Sequence, residues 1–574
     1  MNTTGTKTTA DAPAPASVPH PGGDSVQPVL VIGAGPVGCT AALLLADRGI
    51  PVTVLERQLE PHPLPRAVHV DDEVARILGR VGVADAFLRN SRAASGLRLV
   101  DAQHRVIAEF PRALVNPYSG VPSANMFDQP ELEQLLLGRI DEHPLVTLHR
   151  GVEVLGLHGV DDRPSHGALS PIRVDARDTK KSERLVYTAR FVLGGDGGNS
   201  QVRRWLGIEM EDLHFTERWL VIDVRSDSLL DSWGGVEQVC DPARAATFMR
   251  VVGDRYRWEF QLQDGEDESD LLEPPALARL LAPWTGRSDL EGLEIVRSAT
   301  YTFRARLASR FRVGQVFLLG DAAHLTPPFI GQGLGAGLRD ADNLAWKVAA
   351  VLSESAESRL LETYESERRP HARALVRKAV LIGWTMTGGQ DRAAVVRRLA
   401  LAAAVRSSRI CDLIAATETP PLRNGALEPL GPVRRLLPQA GRPRVGGLVP
   451  NVDVRTPENA RMHLDDLLKG RPAVLTSGRP GPATVELCRK RGIELFRLHA
   501  PDHRSSPPAG GAGYTDVVVV GQAGPLTHVL DDAKAAVLMR PDGIVAAVSR
   551  DGLPRIPWAA GSEMSHLARS GGTQ

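Results

Sequence analysis

Cysteine is scarce in this chain. Only Cys39, Cys240, Cys411 and Cys488 occur in 574 residues, far apart and with no CxxC pair. That spacing excludes a disulfide framework and offers no metal-ligand set, so no metal is expected. A reducing, cytoplasmic setting fits it. Excess charge is missing too, since 68 Lys plus Arg oppose 68 Asp plus Glu. No overall field draws the chain to nucleic acid or an anionic membrane, and neither is expected as a partner. Long apolar runs are also absent. Val29 to Ala46 comes nearest, but Gly33, Gly35, Pro36 and Gly38 interrupt it, so it reads as strand, turn and helix rather than a membrane span. Residues 1–26 lack apolar residues to build a core and the h-region of a secretory signal, and are expected to form a disordered tail.

What is present is an ordinary globular composition, 43% hydrophobic and 24% charged. Single cores stop growing at roughly 250–300 residues, so two or three domains are expected. The first is announced by Pro28-Val-Leu-Val-Ile32, a short β-branched run suited to a buried parallel strand. Gly33-Ala-Gly-Pro-Val-Gly38 follows, then a helical pattern from about Val37 to Arg48, then a strand, Pro51 to Leu55, ending at Glu56. Gly33 makes the tight turn, Gly35 lets a pyrophosphate approach the backbone, and Gly38 lets helix and strand pack closely. The helix start, with Pro36 in its first turn, offers free N–H groups to phosphate. Glu56 stands near the expected spacing of roughly 20 residues, placed to accept hydrogen bonds from a ribose and to repel a 2′-phosphate. This predicts a site for FAD or NAD rather than NADP.

Two later segments repeat the strand–glycine–helix pattern. Phe191 to Arg203 carries Asp196-Gly197 at a strand end, with Ser200 as the expected N-cap. Val313 to His324 runs into Gly320-Asp321, then Pro327-Pro328, Gly331-Gln332-Gly333 and a helix through Trp346. No second strand–GxGxxG–helix unit occurs.

Together the three segments resemble the GxGxxG, DG and GD fingerprints of the class A flavoprotein aromatic hydroxylases, which have the p-hydroxybenzoate hydroxylase-like fold. More narrowly, Pro65-Arg-Ala-Val-His-Val70, Gln238 to Arg244 and Arg257-Trp-Glu-Phe260 resemble 3-(3-hydroxyphenyl)propionate hydroxylases. The resemblance covers about residues 28–380 strongly. It implies bound FAD, with NADH or NADPH docking transiently to reduce it. It further implies reaction with O2 to a C4a-hydroperoxide and oxygen transfer to the carbon ortho to a phenol hydroxyl. By the same resemblance, Glu56, with Arg57 beside it, binds the adenosine ribose and Arg66 lies near the pyrophosphate. Gln129 contacts the cofactor, and Asp196 serves FAD and nicotinamide. Gly320-Asp321 holds the ribityl or pyrophosphate region, while Pro328 and Gly331 to Leu334 pack on the isoalloxazine. Gly335 stands where the family usually has Asn, removing one flavin or capping contact.

The architecture expected is α/β, α+β overall. A Rossmann-like FAD domain spans 27–208 and 301–420, interrupted by an antiparallel-sheet substrate domain at 209–300. A linker at 421–450 leads to a thioredoxin-like unit at 451–574 that gives structural support or a homodimer contact. Arg540-Pro-Asp-Gly543 reads as a hairpin turn. Arg244 and Arg257 suit a substrate carboxylate or are surface charges. Trp258 shares a face with Phe260 and either packs in the core, the favoured reading, or touches substrate. His324 is taken as structural, Arg397, Arg398 and Arg406 as a solvated face, and no catalytic base is named. Ortho-hydroxylation of 3-(3-hydroxyphenyl)propanoate is the leading expectation. A hydroxylase tailoring a polyketide or other larger phenolic, and a non-catalytic flavin-binding protein, remain alternatives.

Overall fold

A computed structural model describes residues 25–387, 419–428, 443–549 and 556–558, apart from 62–65, 117, 162–169, 231, 242, 501–510, 512 and 521–523. The expected tail up to Asp24, Cys411 and the arginines at 397, 398 and 406 lie outside the described residues. The strand Gln27–Ile32 pairs in parallel with Val52–Glu56 on one side and Arg184–Gly194 on the other. Val146–Arg150 and Val316–Leu318 extend the parallel sheet at its two ends. Val29, Leu30 and Val31 are buried, as both faces of a parallel sheet demand. The helix Pro36–Ala46 covers one face and packs on the long helix Gly333–Leu352. The three glycine motifs therefore end side by side at one edge of the sheet.

A second sheet of eight strands is largely antiparallel. Its centre is Met210–Ser226, flanked by Leu293–Ala308 and Arg255–Gln261. It also takes in Gly96–Val100 and Val106–Pro111, from before the expected insertion, through a parallel pairing with Val236–Val239. One face is apolar: Leu220, Ile222, Tyr256, Trp258 and Phe260 pack under the helix Pro274–Thr285 through Leu277 and Leu281. Period-2 alternation then turns Val221, Arg257 and Glu259 to the opposite face.

The third sheet lies in the C-terminal part. Ala473–Thr476, Glu494–His499 and Thr515–Val520 pair in parallel, with antiparallel strands on both sides. Ala536–Met539 and Val545–Ser549 form the hairpin predicted around Arg540–Gly543. Its turn is buried rather than exposed. Arg540 and Asp542 insert against the FAD-motif region, where Arg540 pairs with Glu367 at 3.0 Å and Trp346 donates to Asp542 at 3.2 Å. A two-pronged pair, Arg76 to Asp465 at 2.6 and 2.8 Å, ties the same two parts together. Cys39, Cys240 and Cys488 are buried and form no disulfide with one another. No helix among the described residues is long and apolar enough to cross a membrane.

Candidate active site

The glycine motifs and the second sheet enclose one cavity of about 590 Å³. Gly35 and Pro36, Gly195 and Gly197, and Gly320 with Asp321 line one side. Arg66, Gln129, Pro328 and Gly331 to Leu334 continue the wall. The sheet forms the floor through Val221, Gln238, Thr247, Arg257, Glu259 and Arg297.

Several features fit FAD. Gly35, Gly197 and Gly333 come from three different motifs, and a Cβ on any of them would meet nothing within 4 Å. Open backbone thus faces the cavity at three points. The helices beginning at Pro36 and Gly333 both lack a side-chain cap, so their first N–H groups remain available to phosphate or to a flavin edge. Asp196 caps the helix Gln201–Trp205 with one oxygen, at 2.7 Å from the Gln201 N–H, while its Oδ1 is buried without a partner among the described residues. Asp321 opens into the cavity. Loss of solvation raises its carboxyl above the ordinary range, and His324 and Arg66 offset only part of that rise.

Other glycines are there for packing. Gly33 has φ +102°, and a Cβ on it would lie 2.5 Å from the Gly195 carbonyl oxygen. A Cβ on Gly38 would lie 2.0 Å from the Gly33 oxygen. Neither lines the cavity. Glu56 accepts from the Ala34 N–H at 2.8 Å and the Gln58 N–H at 2.8 Å, which fixes it beside the glycine turn. Arg57 follows it and is exposed. Gln129 is buried, accepts from the Ala67 N–H at 2.7 Å and donates to Glu133 at 2.7 Å, so it holds the Arg66–Ala67 stretch against the cavity.

The loop from Gly320 to Gly333 is pinned from behind. Asp340 accepts from the Gly320 N–H at 3.0 Å, lies 2.7 Å from His324 Nε2 and accepts from Arg368 at 2.7 Å. His324 is buried in this network, as its structural reading requires. Gly331 has φ +61°, and His69 packs so closely that a Cβ there would lie 2.5 Å from its ring. Gln332 donates to Asp71 at 2.9 Å, and Arg339 bridges Asp71, Glu73 and Gln332. Gly335 belongs to this clamp, because a Cβ there would lie 2.8 Å from Arg339 Nη1. A side chain at 335 would enter the space that Arg339 occupies.

Two of the residues put forward for substrate lie elsewhere. Trp258 is fully buried on the apolar face, its ring 5.0 Å from Phe248 and 6.4 Å from Trp284, which leaves core packing as its role. Arg244 is held by Glu266 at 2.8 Å and by the Gln261 carbonyl at 2.9 Å, and does not line the cavity. Arg257 does line it, although Asp223 grips its guanidinium at 2.7 and 3.0 Å. Sequence reasoning missed Glu259, Arg112, Lys378 and His69, which all line the cavity. The signal for Glu259 was available: if Trp258 and Phe260 face a core, Arg257 and Glu259 must face the other way. Nothing local marks Arg112 or Lys378, which come from distant elements.

Comparison with known proteins gives a consistent picture. Residues 27–379 match a family model described as FAD binding domain. The chain is 35% identical over 448 residues to a 3-(3-hydroxy-phenyl)propionate/3-hydroxycinnamic acid hydroxylase of Burkholderia vietnamiensis, covering 77% of each chain. It is 36% identical to a probable NADH-specific resorcinol 4-hydroxylase of Rhodococcus jostii, over 69% of this chain and 72% of that one. Among solved structures, aklavinone-11 hydroxylase in complex with FAD and aklavinone aligns with a TM-score of 0.73 at 25% identity, covering 92% of this chain and 97% of the other.

Proposed function

Because the chain belongs to the FAD binding domain family and is an FAD-dependent aromatic hydroxylase, we propose that it hydroxylates a small phenolic acid, 3-(3-hydroxyphenyl)propanoate or a near relative, ortho to its hydroxyl, with O2 and NADH or NADPH as co-substrates. Gly35, Asp321 and Gly331 to Gly333 would hold FAD, which when bound would accept electrons from the nicotinamide and activate O2. Glu56 and Arg57 serve its ribose end, Arg66 and Asp196 its middle. The protein's own task is to hold the ring over the flavin, polarise its hydroxyl and keep water out.

The observation that carries this reading is a cavity with the glycine loops on one side and a polar sheet floor on the other. A carboxylate on the substrate is supported by a pair of cations. Arg112 lines the cavity with no side-chain hydrogen bond or ion pair among the described residues, and burial pushes its guanidinium down to about 10. Lys378 shares that wall and is lowered by burial and by Arg112 itself. An anion between them would relieve the repulsion.

A larger phenolic is the second reading, favoured by the structural likeness to a hydroxylase holding aklavinone. We assign the protein to the cytoplasm. The 451–574 unit is read as a thioredoxin-like support or homodimer contact rather than a redox module, since it has Cys488 alone. The test is NAD(P)H consumption under air with and without 3-(3-hydroxyphenyl)propionate, with products identified by mass. Stimulated oxidation with a +16 product is expected. Unstimulated oxidation with flavin still bound would move the substrate to larger phenolics. No turnover with any phenol would leave a flavin-binding protein.

A further inference from the structure

The floor of the cavity holds a carboxylate whose surroundings are unusual. On the strand Arg255–Gln261, Tyr256, Trp258 and Phe260 go to the apolar core, so Glu259 goes to the cavity. Its cross-strand neighbours are Val221 and Thr247. Val221 has nothing to donate. The Thr247 hydroxyl donates to Gln238 Oε1 at 2.9 Å. Arg257 is turned to Asp223 and the Arg66 carbonyl, and its Nη1 stays 4.0 Å from Glu259, beyond hydrogen-bond reach. Glu259 is 8% exposed, and neither of its oxygens accepts a hydrogen bond among the described residues.

Buried carboxylates are ordinarily satisfied by donors. One left bare on the wall of a ligand cavity is completed by a donor on the ligand. Burial raises Glu259, Arg257 lowers it, Asp223 raises it and Arg297 lowers it, leaving it a better proton acceptor than a solvated glutamate. Arg257 is on its own strand, Asp223 on the adjacent Met210–Ser226 and Arg297 one strand further, on Leu293–Ala308.

We propose that Glu259 accepts the hydrogen bond, and then the proton, of the substrate's phenolic hydroxyl. This rests on the hydroxylase reading above. The phenol O–H bond breaks and its proton forms a new O–H bond on the Glu259 carboxylate. The electron pair stays on the phenolate oxygen and enriches the ortho carbon for attack on electrophilic oxygen. The phenolate lies beside the charged Arg257. Once the ring has taken up one oxygen atom of the co-substrate O2 and released its ortho proton to water, Glu259 returns its own proton to the product's oxygen. The carboxylate is thereby restored.

The experiment compares holoenzyme of wild type, Glu259→Gln and Glu259→Asp. Flavin content, binding of 3-(3-hydroxyphenyl)propionate and of resorcinol, and product formation are measured from pH 6 to 10. Ultraviolet difference spectra report whether the bound phenol is ionised. Glu259→Gln should keep its flavin and lose roughly 10²–10⁴-fold in hydroxylation at neutral pH. Its activity should recover as the pH approaches about 10, where a phenol ionises unaided. Glu259→Asp should restore part of the loss, and the phenolate band should appear on binding to wild type but not to Glu259→Gln. A Glu259→Gln enzyme within threefold of wild type, or a loss that does not recover at high pH, overturns the assignment. If the variant fails to hold flavin, absence of the phenolate band in wild type overturns it instead. If wild type binds the phenol but yields no +16 product, the small-phenolic-acid reading falls, and the difference band still decides for or against Glu259. If neither phenol binds, the small-phenolic-acid reading falls, and the Glu259 assignment made on it falls too.

Discussion

Replacing Arg339 by Met tests whether the flavin loop is held by the buried clamp behind it. Arg339 is 4% exposed and meets Asp71, Glu73 at 2.6 Å, Gln332 at 3.0 Å and Thr419 at 2.9 Å. Burial opposes the charge on Asp71, yet Arg339, Gln332 and the Val74 N–H hold it below the usual carboxylate range. With methionine at 339, Asp71 keeps only Gln332 at 2.9 Å and the Val74 N–H at 3.1 Å. Removing one partner of a buried pair costs about 3–5 kcal/mol. Gln332 precedes the helix Gly333–Leu352 and lines the cavity, so the loss should fall partly on the loop that receives the flavin. If half of it appears in binding, FAD affinity drops by about 1.5–2.5 kcal/mol, roughly 10–70-fold. Titrating apoprotein with FAD and following flavin fluorescence measures this directly. The double variant Arg339→Met, Asp71→Leu removes the more buried of the two carboxylates along with the arginine, leaves Glu73 its bond from Thr419 at 2.6 Å, and should recover part of the loss, because an apolar pair of similar size is often neutral in such a site. An Arg339→Met protein that binds FAD within twofold of wild type at an unchanged thermal midpoint would refute the reasoning.

Gly335→Asn should weaken FAD binding in the same direction but less, since its Cβ meets the flexible end of Arg339 at 2.8 Å; the same titration reads it. Gly33→Ala should be far more damaging. It combines about 1–3 kcal/mol of backbone strain at φ +102° with a contact at 2.5 Å to the fixed Gly195 carbonyl, and should purify largely without flavin. Asp321→Ala should lower FAD affinity at least about tenfold, the scale of one charge-assisted hydrogen bond; unchanged affinity in equilibrium dialysis would break the assignment of the GD loop. Glu367 gives a pH test. Burial pushes it up, but Arg540 and Lys347 hold it at about 2, against an ordinary value of 4.5. Its stabilisation is therefore fully present above about pH 4.5 and is lost as the pH falls toward 2. Glu367→Gln should cost about 3–5 kcal/mol at neutral pH and flatten the acid-unfolding curve between those values, as followed by circular dichroism.

The cofactor side of the site was legible in the sequence because its signals are local. A β-branched run, glycines where the backbone must turn or lie open, and an acid at the next strand end all fall within one strand–helix–strand unit. The same holds for Gly320-Asp321 and Gly331-Gln332-Gly333, and for the turn at Arg540–Gly543. What these motifs have in common is that backbone geometry dictates residue type over a few positions. The substrate side depends on the pairing of strands far apart in the chain. Glu259 reaches the cavity because Arg255–Gln261 pairs with Met210–Ser226 in one particular register, and a slip of one residue would send Trp258 there instead. Arg112 and Lys378 meet only when the edge of that sheet packs beside the helix Glu362–Thr387. Arg244 and Arg257 look alike in sequence, and only the fold gives one to Glu266 and the other to the cavity floor. The clamp of Arg339 on Asp71 joins residues 268 positions apart. Local backbone demands thus wrote the glycine-lined wall of the cavity into the sequence, while the burial and pairing of charges on its other walls arose only in the tertiary structure.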